Sequence, residues 1–494
     1  MNLKLLPILL VSLCTNSVKA QNDILWEKRI EQQKSSYLYN AISTPDYGLL
    51  LLGSTLSSNI GFDNKENKGQ LDFYLIKMDE NGKIEWENSF GGNKNDKLYS
   101  AKQTNDGGFI LVGSSNSDKS GDKSSENLGQ NDIWLIKLDP KGKITWDKTI
   151  GGIGNDIPVK VIQTEKNEIV VGAYTNSPSL IKNPSSQKND IYIVKFDSNG
   201  NLLWENTYGN DNDDKLIDII QKEDQFILFS NNFSEKNSSN IQIFSINNEG
   251  DLLHKKILND YSSYLHHIDN YDNQFILTVN EKKNNDIVNK ILFYDNTFNL
   301  ISSTTIDSKN TFDLKENYYH SNNIIISTSN QINTLENKKT TANPESYFMY
   351  ETFDLSGKKI TSLKLGNKGY NYLEKSIKTR DNSIILFGSS AEIKNNNQEN
   401  SKLYLVKIGD NESQSKRDYI EVYPNPTNNF TNILINKDFD KATIEIYNIS
   451  GQHLQSIDVK YRSTPISLGD YPSGVYIAKI NYDNQTESIK IIKK

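Results

Sequence analysis

The sequence predicts an all-β chain, in which seven four-stranded blades close into a propeller and a small β-sandwich follows. Three observations predict it. Tryptophan recurs at Trp26, Trp86, Trp146 and Trp204, at intervals of 60, 60 and 58 residues, and a strand-rich repeat of roughly 40–60 residues marks propeller blades. Each interval divides into short apolar runs separated by Asp- and Gly-containing turns. The last 75 or so residues keep short strands but lose the repeat.

The clearest unit spans residues 85–144 and its flanks. Leu98–Gln103 reads as strand A, and Asn105-Asp106-Gly107-Gly108 as a turn. Phe109–Ser114 reads as strand B and, after a long polar loop, Asp132–Leu138 as strand C. The turn Asp139-Pro140-Lys141-Gly142 then leads to strand D, Ile144–Ile150. Asp caps such turns with its side chain and Gly accepts positive φ. Strand C recurs seven times: DFYLIKM (72–78), DIWLIKL (132–138), DIYIVKF (190–196), NIQIFSI (240–246), NKILFYD (289–295), SYFMYETF (346–353) and KLYLVKI (402–408). Units four to six are worn, with His254 at the fifth tryptophan position.

The ends of the array predict closure. A lone strand D, Ile24–Ile30, opens the array, and the seventh unit stops after strand C at Ile408. Pairing these two would complete the seventh blade and remove the exposed edges. Alternation of the strands puts the tight A–B and C–D turns on one face. The long loops Ser57–Leu71, Ser115–Asn131 and Thr175–Asn189 fall on the other, and loops on a rigid scaffold are where function usually sits. The expected organisation is a signal peptide at 1–20, a propeller at 21–409, a linker at 410–419 and a sandwich at 420–494.

Composition narrows the function classes. The formal charge is −7, and arginine occurs only at Arg29, Arg380, Arg417 and Arg462. No basic patch suits nucleic acid. The single cysteine, Cys14, lies in the leader, so a processed chain has no disulfide, thiol nucleophile or thiolate metal site. Lys4, the apolar run Leu5–Leu13 and Val18-Lys19-Ala20 form a signal-peptide pattern. That run is too short to span a bilayer. An acylated Cys14 is the alternative, although Leu13 stands where a small residue is expected.

The tail resembles the type A C-terminal sorting domain of the Bacteroidota type IX secretion system. Tyr423-Pro424-Asn425-Pro426, Ile446-Tyr447 with Gly451, Leu468 through Gly474-Val475-Tyr476, and the basic end Lys490, Lys493 and Lys494 carry the resemblance, in order and spacing. It implies passage through the periplasm, recognition of 420–494 by the secretion machinery, and a final place at the cell surface or outside. The repeats resemble the Trp/Gly-Gly/Asp-Gly-Gly propeller-like repeats found ahead of such tails, which implies no particular activity.

Candidate sites are few. The repeat tryptophans and Trp134 suit either an aromatic sugar platform or packing between blades, and their fixed strand position favours packing. Asp96, Asp156 and Asp214 each follow a repeat tryptophan by ten residues, just before strand A. Together they suit a ligand- or cation-binding ring of carboxylates; separately, each suits capping of its own loop. Asp118-Lys119-Ser120-Gly121-Asp122 has calcium-like oxygen spacing without a full EF-hand pattern. His266 and His267 are adjacent and point to opposite faces of a strand. No metal motif, nucleophile elbow or phosphate loop occurs, so no catalytic residue, metal ligand or cofactor is assigned. The expected role is binding or adhesion toward an extracellular glycan or protein. A secreted carbohydrate-active or other hydrolase, and a structural surface or gliding-associated protein, are the alternatives.

Overall fold

The computed structural model describes residues 23–494 apart from 32–35, 57–68, 141, 182–187, 235–238, 259–262, 272, 284–285, 307–312, 321–322, 332–345, 395–396, 399–400, 411–418 and 429. The leader, most of the loop 57–71, part of the loop 175–189 and most of the linker therefore lie outside the described residues. Among those described, all regular structure is strand, and no helix is long and apolar enough to cross a membrane.

Six consecutive sheets each take their four strands in chain order, beginning with Ser36–Ser43, Leu49–Thr55, Asp72–Met78 and Ile84–Phe90. The unit used above gives Asp96–Gln103, Phe109–Ser115, Asp132–Leu138 and Ile144–Ile150, so strands C and D start and end as expected and strand A begins two residues earlier. In the next sheet, Gly369–Lys378, Ile384–Lys394 and Lys402–Gly409 are joined by Asp23–Glu31. That strand runs antiparallel to Lys402–Gly409, with Glu27 opposite Val406 and Glu31 opposite Lys402.

The sheets pack face to face. Strands B and C of the first two units are buried along their whole length, because each has a neighbouring sheet on both sides. This is why they read as continuous apolar runs rather than alternating ones. Strand D lies outermost, and in the fourth unit Leu252–Leu258 is mostly exposed. Apolar clusters sit between consecutive sheets. One joins Leu50, Phe73 and Leu75 of the first unit to Leu111, Trp134 and Ile136 of the second. Another joins Leu51 and Ile76 of the first to Ile385, Phe387 and Leu405 of the last. Each strand A touches the next in chain order, and Gly369–Lys378 touches Ser36–Ser43.

Two repeated devices hold these interfaces. The strand D tryptophans Trp26, Trp146 and Trp204 lie over the C–D turn glycine of the following unit, whereas at Gly142 the neighbour is Asn88. A Cβ on Gly200, where φ is +79°, would lie 3.1 Å from the Trp146 ring, and Gly250 meets Trp204 in the same way. The Trp204 indole N–H donates to the Asn248 carbonyl at 2.9 Å, and that of Trp26 donates to the Glu80 carbonyl at 2.9 Å. The second device pairs a strand C lysine with the acid of the A–B turn. Lys137 lies 2.8 Å from Asp106, Lys195 2.9 Å from Glu168, and Lys407 3.1 Å from Asp381. In the turn itself, Gly107 has φ +79°, and a Cβ on Gly108 would lie 2.1 Å from the Leu138 carbonyl oxygen.

The tail forms two sheets, Ile420–Tyr423 with Phe430–Ile435 and Ser463–Ser467, and His453–Val459 with Ala442–Asn448, Gly474–Tyr482 and Gln485–Lys493. Ile433, Ile444, Ile466 and Ile480 are fully buried in one core formed by residues of both sheets. Its first sheet meets the tight turns of the repeat region. Glu421 accepts from the Tyr47 hydroxyl at 2.9 Å and pairs with Arg380 at 3.0 Å. Arg462 lies 2.6 Å from Glu80, and Pro465 lies against Gly107.

Candidate functional site

Asp96, Asp156 and Asp214 stand at or beside the first residue of three A strands, and all three are fully buried. Each carboxylate accepts the backbone N–H four residues earlier: Gly92 at 2.7 Å, Gly152 at 2.8 Å and Asn210 at 3.0 Å. Side chains complete the shells. Ser117 donates to Asp96 at 3.0 Å, and Asn232 donates to Asp214 at 2.8 Å. These acids tie the D–A loop to the start of strand A.

Asp156 and Asp214 are each accompanied by the acid that opens strand C of the preceding unit. A Cβ on Gly151 would lie 2.4 Å from Asp156 Oδ2 and 2.6 Å from Asp132 Oδ1. At Gly209 it would lie 2.1 Å from Asp190 Oδ1 and 3.1 Å from Asp214 Oδ2. The glycine after strand D is therefore required because two carboxylates occupy the space of a side chain. Burial, and behind it the facing Asp156 charge, pushes Asp132 up to about 6. Burial followed by Asp214 pushes Asp190 up to about 6. Asp214 also rises to about 6 through burial, while Asp96 and Asp156 rise from the same cause. Lys123 from the long loop is buried near Asp132, Asp96 and Asp147, and burial lowers its ammonium.

The structure thus keeps the three predicted acids at separate unit boundaries, Asp156 beside Asp132 and Asp214 beside Asp190. Among the described residues no group of three or more His, Cys, Asp or Glu side chains is placed to hold a metal. In the loop 118–122, Asp118 pairs with Lys94 at 2.8 Å, Asp122 accepts the Gly91 amide at 3.2 Å, and Ser120 accepts the Asn93 amide at 2.9 Å. Trp134 is fully buried and donates to Asp147 at 2.9 Å. The repeat tryptophans are half-buried, Trp26, Trp146 and Trp204 against the next unit's turn and Trp86 against Phe109.

Apart from Tyr423, the tail motif residues are held by contacts within the tail. Asn425 donates to the Lys490 carbonyl at 2.8 Å and accepts the Ile492 amide at 2.9 Å, tying Pro424 and Pro426 to the last strand. The Lys493 ammonium donates to the carbonyls of Leu468 at 2.7 Å, Gly469 at 3.1 Å and Tyr471. Gly451 closes a turn at φ +82°, the Tyr476 hydroxyl donates to Pro472, Gly474 pairs with Lys493 across the sheet, and the Lys494 amide bonds Thr427 at 2.8 Å. Tyr423 stacks on Arg380, 4.4 Å from ring centre to guanidinium.

A cavity of about 750 Å³ lies where the A strands converge, at the end carrying the A–B turns. Its wall draws on successive A strands, including Asn40, Ser100, Lys160, Asp218, His267 and Lys375. All six directly follow a bulge in the pairing with strand B. Tyr423, Pro424 and Asn432 of the tail also line it. The long-loop face was the expected location, but this cavity lies toward the opposite face. At the long-loop end, the acids Asp96, Asp156 and Asp214 hold the loops before three of the innermost strands, while the bulges set side chains along the cavity wall. Asp132, Asp190 and Asp214 are not among the lining residues.

The chain has weak likeness to proteins of known structure. It is similar to Drosophila Semaphorin 1b extracellular domains 1-2, with TM-score 0.43 and 8% identity over 79% of this chain and 87% of that one. It is also similar to the beta-propeller domain of the Trilobed protease from Pyrococcus furiosus, with TM-score 0.41 and 10% identity over 76% of this chain and 94% of that one. Regulatory protein FlaEY of Caulobacter vibrioides is 22% identical over 229 residues, which are 44% of this chain and 24% of that protein. The chain thus spans about a quarter of that relative's length. Residues 421–494 match the secretion system C-terminal sorting domain, which supports a type IX secretion cargo exported to the cell surface or beyond.

Proposed function

We propose that the chain is a type IX secretion cargo from a member of the Bacteroidota, led by a signal peptide at 1–20. Residues 21–409 form a closed seven-bladed β-propeller, joined through 410–419 to the sorting domain at 420–494. Its role is to bind or adhere to an extracellular glycan or protein. Closure is supported by the pairing of Asp23–Glu31 with Lys402–Gly409 and by the apolar cluster joining the first and last sheets. The observation that carries the binding reading is the axial cavity, whose wall takes polar side chains from several innermost strands at once.

A hydrolase would be favoured by acids of raised pKa converging in the cavity. The acids pushed up to about 6 instead sit at the long-loop end and hold loop amides or face their partner carboxylates. Asp96, Asp156 and Asp214 serve in this proposal as latches between blades rather than as ligands.

A glycan and extracellular-protein array probed with residues 21–494, beside a His267→Trp variant that narrows the cavity, tests the proposal. Binding by the parent and its loss in the folded variant are expected. Equal binding by both would overturn the placement of the site, and turnover of an arrayed polysaccharide would favour the hydrolase.

A further inference from the structure

The axial cavity carries an uneven charge. Among the described residues, Lys102, Lys160, Lys375, Lys378 and Arg380 line it against Asp218 and Asp269, and Arg380 is already paired with Glu421. Asp218 is already committed, with Oδ1 2.6 Å from Lys160 Nζ and accepting the Ile219 amide at 2.6 Å. Lys378 lies 5.8 Å from the centre of the Tyr271 ring. Lys102 forms no ion pair among the described residues.

Lys102 is exposed to the space of the cavity, yet protein surrounds it. Burial lowers its ammonium from the ordinary lysine value, and the charge of Lys160 lowers it further. Two ammonium groups thus act on one another inside a walled space, where Asp218 is held by Lys160 and by the Ile219 amide. An anion entering there gains from both and relieves their repulsion, and the cavity wall screens that attraction less than open water does. The ammonium head is a compact point charge on a flexible stem, so it suits an oxyanion without demanding a planar fork.

We propose that Lys102 and Lys160 form an oxyanion subsite in the axial cavity, which holds the carboxylate or sulfate group of a ligand. Ser100 and His267 line the same space and supply polar groups for the rest of that ligand. The assignment rests on the proposed role of the cavity as the ligand site.

Titration calorimetry on residues 21–494 with D-glucuronate, sodium sulfate and D-glucose tests it, with Lys102→Gln and Lys102→Arg checked for folding by circular dichroism. The parent should bind glucuronate, Lys102→Gln at least tenfold more weakly, and Lys102→Arg within about threefold of the parent. Sulfate competing with glucuronate would assign the subsite to the free oxyanion as well. Sulfate without effect would restrict it to a sugar carboxylate. A second measurement needs no variant: sulfate or glucuronate should slow acetylation of Lys102 in the parent, read by mass spectrometry. Glucuronate bound equally by parent and Lys102→Gln, or glucose bound as tightly as glucuronate, would overturn the subsite. So would the absence of both binding and protection. Array binding lost in His267→Trp but kept in Lys102→Gln would sink the subsite alone. Array binding kept in His267→Trp would sink the cavity reading beneath it.

Discussion

Glu421 of the tail lies 3.0 Å from Arg380 of the repeat region, and the same guanidinium stacks on Tyr423 at 4.4 Å. Tyr47 adds its hydroxyl to Glu421 at 2.9 Å. The tail therefore rests on the tight-turn face, beside the mouth of the axial cavity. A double-mutant cycle with Arg380→Ala and Glu421→Ala should give a coupling of about 1 kcal/mol in urea unfolding, since the pair is partly exposed and screened. Strictly additive effects would contradict the docked arrangement.

The pair of Lys407 and Asp381 is more buried, with side-chain exposures of 0% and 3%. Removing one partner leaves an uncompensated charge. Lys407→Met should destabilise the repeat region by about 3–5 kcal/mol, and the joint change with Asp381→Leu should recover much of that. Chemical denaturation of both variants measures it.

Glycine under the repeat tryptophan has two reasons to be glycine. At Gly200 φ is +79°, and a Cβ would touch the Trp146 ring at 3.1 Å. At Gly451 φ is +82° with nothing within 4 Å of a Cβ. Gly451→Ala should cost about 1–2 kcal/mol from backbone strain alone. Gly200→Ala should cost more, by about 1 kcal/mol, as the ring is displaced. Equal costs would argue against the packing of Trp146 on this turn.

Asp132, Asp190 and Asp214 are each pushed up to about 6. An unfolded carboxyl titrates near about 3.9. Between these values the folded chain holds more protons than the unfolded one, so stability falls as pH rises from about 4 to about 6. Asp132→Asn keeps an oxygen for the Leu128 and Gly129 amides and removes the charge facing Asp156. It should raise stability at pH 7.5 by roughly 1 kcal/mol, after allowing for solvent screening, and leave it unchanged near pH 4. Urea melts at the two pH values provide the check.

The strands were legible because fully covered B and C strands leave continuous apolar runs and the turns need Asp and Gly. Strands C and D of the second unit, Asp132–Leu138 and Ile144–Ile150, lie where the sequence puts them. The position of the tryptophans on strand D already favoured packing. The lysine–acid pairs were missed, although Lys77, Lys137, Lys195 and Lys407 recur within strand C and Asp46, Asp106, Glu168 and Asp381 within the preceding turn. The paired carboxylates also left a trace, since Asp72, Asp132 and Asp190 precede Asp96, Asp156 and Asp214 by 24 residues each. The axial cavity left none. Its wall is one face of several distant strands, and the bulge in each, as between Leu98 and Ser100, breaks the two-residue period that assigns side chains to faces.

Ring closure is the claim on which the site depends, and a disulfide across the closing pair tests it most directly. The chain from residue 21 contains no cysteine, and Glu31 lies opposite Lys402 across two antiparallel strands. Facing residues in such a pair are close enough for a disulfide. With Glu31→Cys and Lys402→Cys, mild oxidation should give a monomeric product that migrates faster on a non-reducing gel and a raised unfolding midpoint. No intramolecular crosslink, with the double variant folded, would contradict the closed ring.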